Sequence, residues 1–95
     1  MIVFRKRFTS KLSKLYHYLK NEFGETTANQ FLEKVHKAAL AAETHPDAGR
    51  MTKVSSVRSK LIAPYTRLYY TKRGSKLIVL NMYDMRQLPS RNMYE

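Results

Sequence analysis

Apolar residues recur along the first quarter of the chain with the period of a helix. Phe8, Leu12, Leu15, Leu19 and Phe23 fall at i, i+4, i+7, i+11 and i+15, one stripe of an amphipathic helix. Thr9 or Ser10 can cap its start, and Gly24 is placed as the C′ residue that ends it. A second helix opens at once. Thr27-Ala28-Asn29-Gln30 matches a capping box, and Ala28, Phe31, Leu32, Val35, Ala39 and Ala42 mark one face. Pro46 disfavours helical geometry at His45, so this helix should stop near Glu43 or Thr44. Two helices joined by so short a link fold back as an antiparallel hairpin. Ahead of them, Ile2 to Arg7 reads as a short strand.

The remainder changes period. Val57 to Ala63, Tyr65 to Lys72 and Lys76 to Tyr83 read as three strands, the last two joined by Arg73-Gly74-Ser75. The expected fold is α+β: a short N-terminal strand and a helical hairpin packed on a three- to four-stranded antiparallel sheet, one domain over residues 1–95. A three-residue loop pairs Lys72 with Lys76, Leu68 with Leu80 and Arg67 with Asn81. It puts Leu68, Tyr70, Ile78 and Leu80 under the helices, and Tyr65, Arg67, Tyr69, Val79, Asn81 and Tyr83 on the working face. A loop one residue shorter or longer would shift this pairing.

Composition fits one modest core: 95 residues are 43% hydrophobic and 12% aromatic. Charge changes the picture more. Seven acids face 18 Lys and Arg, for a formal charge of +11. From Ala48 to Tyr83 there is no acid, yet eight basic residues stand there: Arg50, Lys53, Arg58, Lys60, Arg67, Lys72, Arg73 and Lys76. A one-signed field on a rigid sheet repels itself unless something anionic meets it. Nucleic acid, an acidic protein segment or an anionic membrane surface are the natural partners; a solubility charge is the plain alternative. Cysteine is absent, which removes disulfides, thiolate zinc sites and a Cys nucleophile. His17, His36 and His45 are scattered without metal spacing, so neither metal nor cofactor is expected. No apolar run has membrane length, no signal core follows Met1, and the reading is a cytoplasmic protein.

Three segments carry a resemblance. His45-Pro46-Asp47-Ala48-Gly49-Arg50 looks like a Pro-x-x-Gly-Arg turn. Val57-Arg58 through Tyr65-Thr66-Arg67-Leu68-Tyr69-Tyr70 is similar to a Tyr-Arg-Leu-x-Tyr strand run. Leu77-Ile78-Val79-Leu80 is followed by Asp84-Met85-Arg86-Gln87-Leu88-Pro89, like an Asp-x-Arg-Gln-x-Pro ending. In order and spacing the chain resembles the RelE/ParE superfamily of toxins from bacterial type II toxin–antitoxin systems. The resemblance implies one of two activities, with messenger RNA cleavage as the first expectation and gyrase inhibition as the alternative. RelE-like members cut ribosome-bound messenger RNA; ParE-like members inhibit DNA gyrase by protein contact. A third reading is a basic nucleic-acid-binding relative without toxicity. All three imply an acidic cognate antitoxin and a toxin–antitoxin hetero-oligomer.

Metal-free RNA cleavage needs a base for the 2′-OH, cations for the phosphorane-like transition state and an acid for the leaving oxygen. The resemblance implies Arg67 and Arg86 for the second role and Tyr94 as the tail phenol for the base. Lys53, Arg58 and Lys60 would hold RNA or act as the acid, and Tyr65 and Tyr69 would stack on bases. Each has a plainer alternative. Arg67 can pack between Tyr65 and Tyr69. Arg86 can pair with Asp84. The tyrosines can serve as sheet formers. Lys72, Arg73 and Lys76 read as a solvated hairpin tip.

Overall fold

Gly24 alone separates the two helices. In a computed structural model, which describes residues 1–87 and 89–95, α1 spans Lys6–Phe23 and α2 spans Glu25–Thr44. Leu88 and the Pro89 side chain, in the Asp84–Pro89 segment quoted above, lie outside the described residues. Gly24 takes φ 95°, where a side chain would be strained. Its N–H donates to Lys20 at 3.0 Å, and its carbonyl accepts from Ala28 at 3.2 Å. One residue thus closes one helix and opens the next. The expected capping box is not used: α2 begins two residues before Thr27 and has no side-chain cap. Likewise α1 starts at Lys6, ahead of the expected Thr9 or Ser10 cap, and the Thr9 hydroxyl donates back to the Lys6 carbonyl. Tyr16 donates to Asn29 at 3.0 Å across the hairpin.

The strands are β1 (Ile2–Phe4), β2 (Arg50–Met51), β3 (Arg58–Ala63), β4 (Thr66–Arg73) and β5 (Lys76–Asp84). They form one sheet in the order β1-β5-β4-β3-β2. This corrects the expected three or four antiparallel strands to five in a mixed sheet. β1 pairs in parallel with β5, Val3 opposite Ile78, because the long helical connection carries the chain back over the sheet. β2 has two residues, too few for any periodicity to show.

The β4–β5 hairpin departs from the expected register. Arg73 pairs with Lys76, leaving a two-residue Gly74-Ser75 loop with Gly74 at φ 60°. Positive φ at the first loop residue and none at the second is the demand of a type II′ turn. Lys72 therefore meets Leu77, and a bulge follows between the Tyr70–Val79 and Tyr69–Asn81 pairs. Leu68 and Tyr70 lie under the helices as expected, but Leu77, Val79 and Met82 join them instead of Ile78 and Leu80. The core is Phe8, Phe31, Val35, Ala38 and Ala42 on Ile62, Leu68, Tyr70, Leu77, Val79 and Met82. Leu12, Leu15 and Leu19 pack against it, whereas Phe23, the last of the predicted stripe, is 62% exposed.

Candidate functional site

The sheet face away from the helices carries a row set by register. Arg50 pairs with Ser59, Ser59 with Tyr69, and Tyr69 with Asn81. Directly paired residues point to the same face, so these four side chains cross the sheet in line. Arg67, between Leu61 and Tyr83, lies one step along. Its Nη1 donates to the Ser59 hydroxyl at 3.2 Å. Burial lowers the Arg67 pKa, the Arg50 charge lowers it further, and Tyr69 and Glu95 partly offset both.

The residues after β5 return over this row. Tyr94 stacks on Tyr69 with ring centroids 4.7 Å apart and meets Tyr83 edge-on at 6.1 Å. Its carbonyl accepts from the Lys53 N–H at 3.0 Å, which anchors the segment to the loop after β2. The Asn92 amide donates to the Tyr69 hydroxyl at 3.0 Å. That hydroxyl donates to the Glu95 carboxylate at 2.5 Å, and Arg50 Nη2 reaches the same oxygen at 2.5 Å. A small second core of Val57, Tyr69 and Tyr94, flanked by Leu80 and Tyr83, lies beneath. Burial, then the Glu95 hydrogen bond, push the Tyr69 phenol up to about 12. The Tyr94 phenol is also raised, first by burial and then by Tyr83.

The sequence candidates are therefore divided. Tyr69 and Tyr94 stand together beside Arg67 as a packed stack. Arg58 pairs with Tyr70 and Lys60 with Leu68, which puts both on the helix-bearing face, away from Arg67. Arg58 donates to the Gly49 carbonyl at 2.9 Å. Lys53 is exposed. Arg86 lies beyond β5 in a different setting. Its Nη2 and Nε grip Asp84 at 2.6 and 3.0 Å, and its guanidinium stacks 4.5 Å over the Tyr65 ring. The pair holds Asp84 below the usual carboxylate range and raises Arg86, each chiefly through the shared hydrogen bonds. Among the described residues Arg67 and Arg86 share no hydrogen-bond partner. Ser59, Asn92 and Glu95 were not singled out from sequence, and Arg50 stood out only in the basic run and the Pro-x-x-Gly-Arg turn. Glu95 had one signal: it is the only carboxylate after Asp84 in a basic tail.

Arg86 also borders a cleft of about 550 Å³ at the Gly24 end of the helical hairpin. Leu15, Leu19, Phe31, Ala63 and Met82 line it, and Lys11, Tyr18, Phe23 and Tyr65 stand around it. Tyr18, Phe23 and Tyr65 are each more than half exposed. Lys11 lies 3.6 Å over the Tyr83 ring and donates to the Met82 carbonyl at 3.2 Å. Burial and the Arg7 charge lower its pKa. Among the described residues no cluster of His, Asp or Glu has the form of a metal site, and no helix is long and apolar enough to cross a membrane.

A family model described as ParE toxin of type II toxin-antitoxin system, parDE, matches residues 2–88. No curated protein matches the chain by sequence. Among solved structures, one of the chromosomal ParDE toxin–antitoxin system from P. aeruginosa superposes with TM-score 0.73 at 12% identity, covering 87% of this chain and 92% of that one. A YoeB/ParE toxin from Agrobacterium tumefaciens gives 0.61 at 18% identity, covering 87% and 95%. A conserved hypothetical protein from Helicobacter pylori gives 0.57 at 22% identity, covering 90% and 94%. At these identities the structural likenesses establish the fold.

Proposed function

The chain belongs to the ParE toxin family of type II toxin–antitoxin systems, and on that premise we propose that it inhibits DNA gyrase by protein contact and does not cut RNA. One observation carries this choice: beside Arg67 the groups that could take a proton are already engaged. Tyr94 is packed between two rings with its pKa raised, so at neutral pH it is a protonated phenol and a poor base. The Tyr69 phenol is held still higher. Glu95 supplies a carboxylate beside this row, but a guanidinium and a phenol both occupy it. Arg58 and Lys60 face the other side. Arg86 is paired with Asp84 and stacked on Tyr65. The arrangement has cations for a phosphate but no ready acceptor for the 2′-OH proton.

Protein contact needs a different surface, and the hairpin cleft offers one. Its apolar lining, exposed Tyr18, Phe23 and Tyr65, and rim cations Lys11 and Arg86 suit a protein partner. Type II toxin families pair with a cognate antitoxin, and a partner for this chain of +11 charge would be acidic. Induced expression separates the readings. Gyrase inhibition gives DNA damage and trapped gyrase with intact transcripts, and Tyr94→Phe stays toxic. Cleaved transcripts that disappear with Arg67→Ala or Arg86→Ala would overturn it.

A further inference from the structure

We propose that Arg50 and Arg67 form an oxyanion site on the open sheet face, that Glu95 is its built-in occupant, and that an acidic protein segment binds there by displacing Glu95. Arg50 and Arg67 are neighbours close enough to depress the Arg67 pKa by repulsion, and Ser59 lies between them in register. Two like charges on a rigid sheet are tolerable when an anion sits against them. That anion is the Glu95 carboxylate, 2.5 Å from Arg50, with the Tyr69 hydroxyl as a second donor to the same oxygen.

The donor set is matched to a carboxylate. One guanidinium nitrogen and one phenol converge on a single oxygen, and Asn92 fixes the phenol by donating to it. Arg67 Nη1 donates to Ser59, which ties its guanidinium to the same row. The occupant's ion pair, in contrast, is screened by solvent: the Arg50 and Glu95 side chains are 44% and 22% exposed, where an ion pair is weak. A tethered ligand of that strength competes through its local concentration, and a partner presenting several carboxylates can replace it. An acidic peptide is favoured over RNA because the group now seated is a carboxylate and the site is flanked by a buried phenol stack, with no exposed ring of Tyr69 or Tyr94 left for a base. This holds for either cellular target, since it concerns the open face and not the cleft.

The test is fluorescence anisotropy of a labelled hexaglutamate peptide and of a labelled uridine hexanucleotide with the full chain. Glu95→Gln vacates the site, and Glu33→Gln, an exposed helix position, makes the same charge change elsewhere. The expected result is about fivefold tighter peptide binding for Glu95→Gln, the scale of one exposed ion pair, with no such gain for Glu33→Gln. Arg50→Ala added to Glu95→Gln should remove the gain. Equal gains in the two Gln variants, a gain that survives Arg50→Ala, or a larger gain for the RNA than for the peptide would each overturn the proposal.

Discussion

Tyr69 joins both halves of the open-face site. Its ring is fully buried under Tyr94, and its hydroxyl receives Asn92 and gives to Glu95. Tyr69→Phe keeps the stack but leaves the nearly buried Asn92 amide without that acceptor. The expected cost is about 1–3 kcal/mol in denaturant unfolding, with the slope unchanged. The phenol also has a pH signature. Its folded pKa of about 12 exceeds that of an unfolded phenol, near 10. The stabilisation is therefore complete below pH ~10 and is lost as pH rises towards 12. Ultraviolet titration should show a phenolate component near 12 that Tyr69→Phe removes. At this scale the sequence was partly readable. Arg67, Tyr69 and Tyr94 stand out as a cation and phenols in a basic, aromatic run. The pairing of Arg50 with Glu95 does not, because the two are 45 positions apart and meet only through the β2–β3 register and the returning tail.

The turn before β2 shows what an element can conceal. Gly49 has ordinary backbone angles, so its role is space and not conformation. An added Cβ would lie 2.9 Å from Tyr70 Cζ and 3.0 Å from Arg58 Cβ, while the Tyr70 hydroxyl donates to the Pro46 carbonyl at 2.8 Å. Gly49→Ala should cost about 1–3 kcal/mol, and less in a Tyr70→Phe background, as a double-mutant unfolding cycle would register. The Pro-x-x-Gly-Arg spacing was legible in the chain, but the close approach of β4 beneath it was not. The β5 bulge was hidden in the same way. A two-residue loop and one extra residue moved Ile78, Val79 and Leu80 to the faces opposite to those expected, while Leu68 and Tyr70 kept theirs. Helices fared better, since the Leu stripe of α1 and the stop at Thr44 depend on local spacing and on Pro46. Phe23 left the core because α1 ends there, at the mouth of the cleft. Phe23→Ser should leave unfolding nearly unchanged and reduce growth inhibition at least about tenfold in a titrated induction, as expected for an exposed anchor in a protein interface.

Taken whole, the molecule separates its two surfaces. The helical hairpin and the far end of the sheet enclose an apolar cleft with cations at its rim, and the open face holds a basic row covered by its own tail. The charge excess read from the sequence is thus not one field. Arg58 and Lys60 belong to one side and Arg50 and Arg67 to the other, a division that only strand register could make. Neither surface combines a cation with an available base, which is why the account places action in protein contact. The most direct measurement is a supercoiling assay with purified gyrase, run beside transcript mapping in cells induced for the wild-type chain and for Tyr94→Phe. The account predicts loss of supercoiling with trapped gyrase–DNA complexes and uncut transcripts for both proteins. Unimpaired gyrase together with ribosome-dependent cuts in the transcripts, lost in Tyr94→Phe, would contradict it.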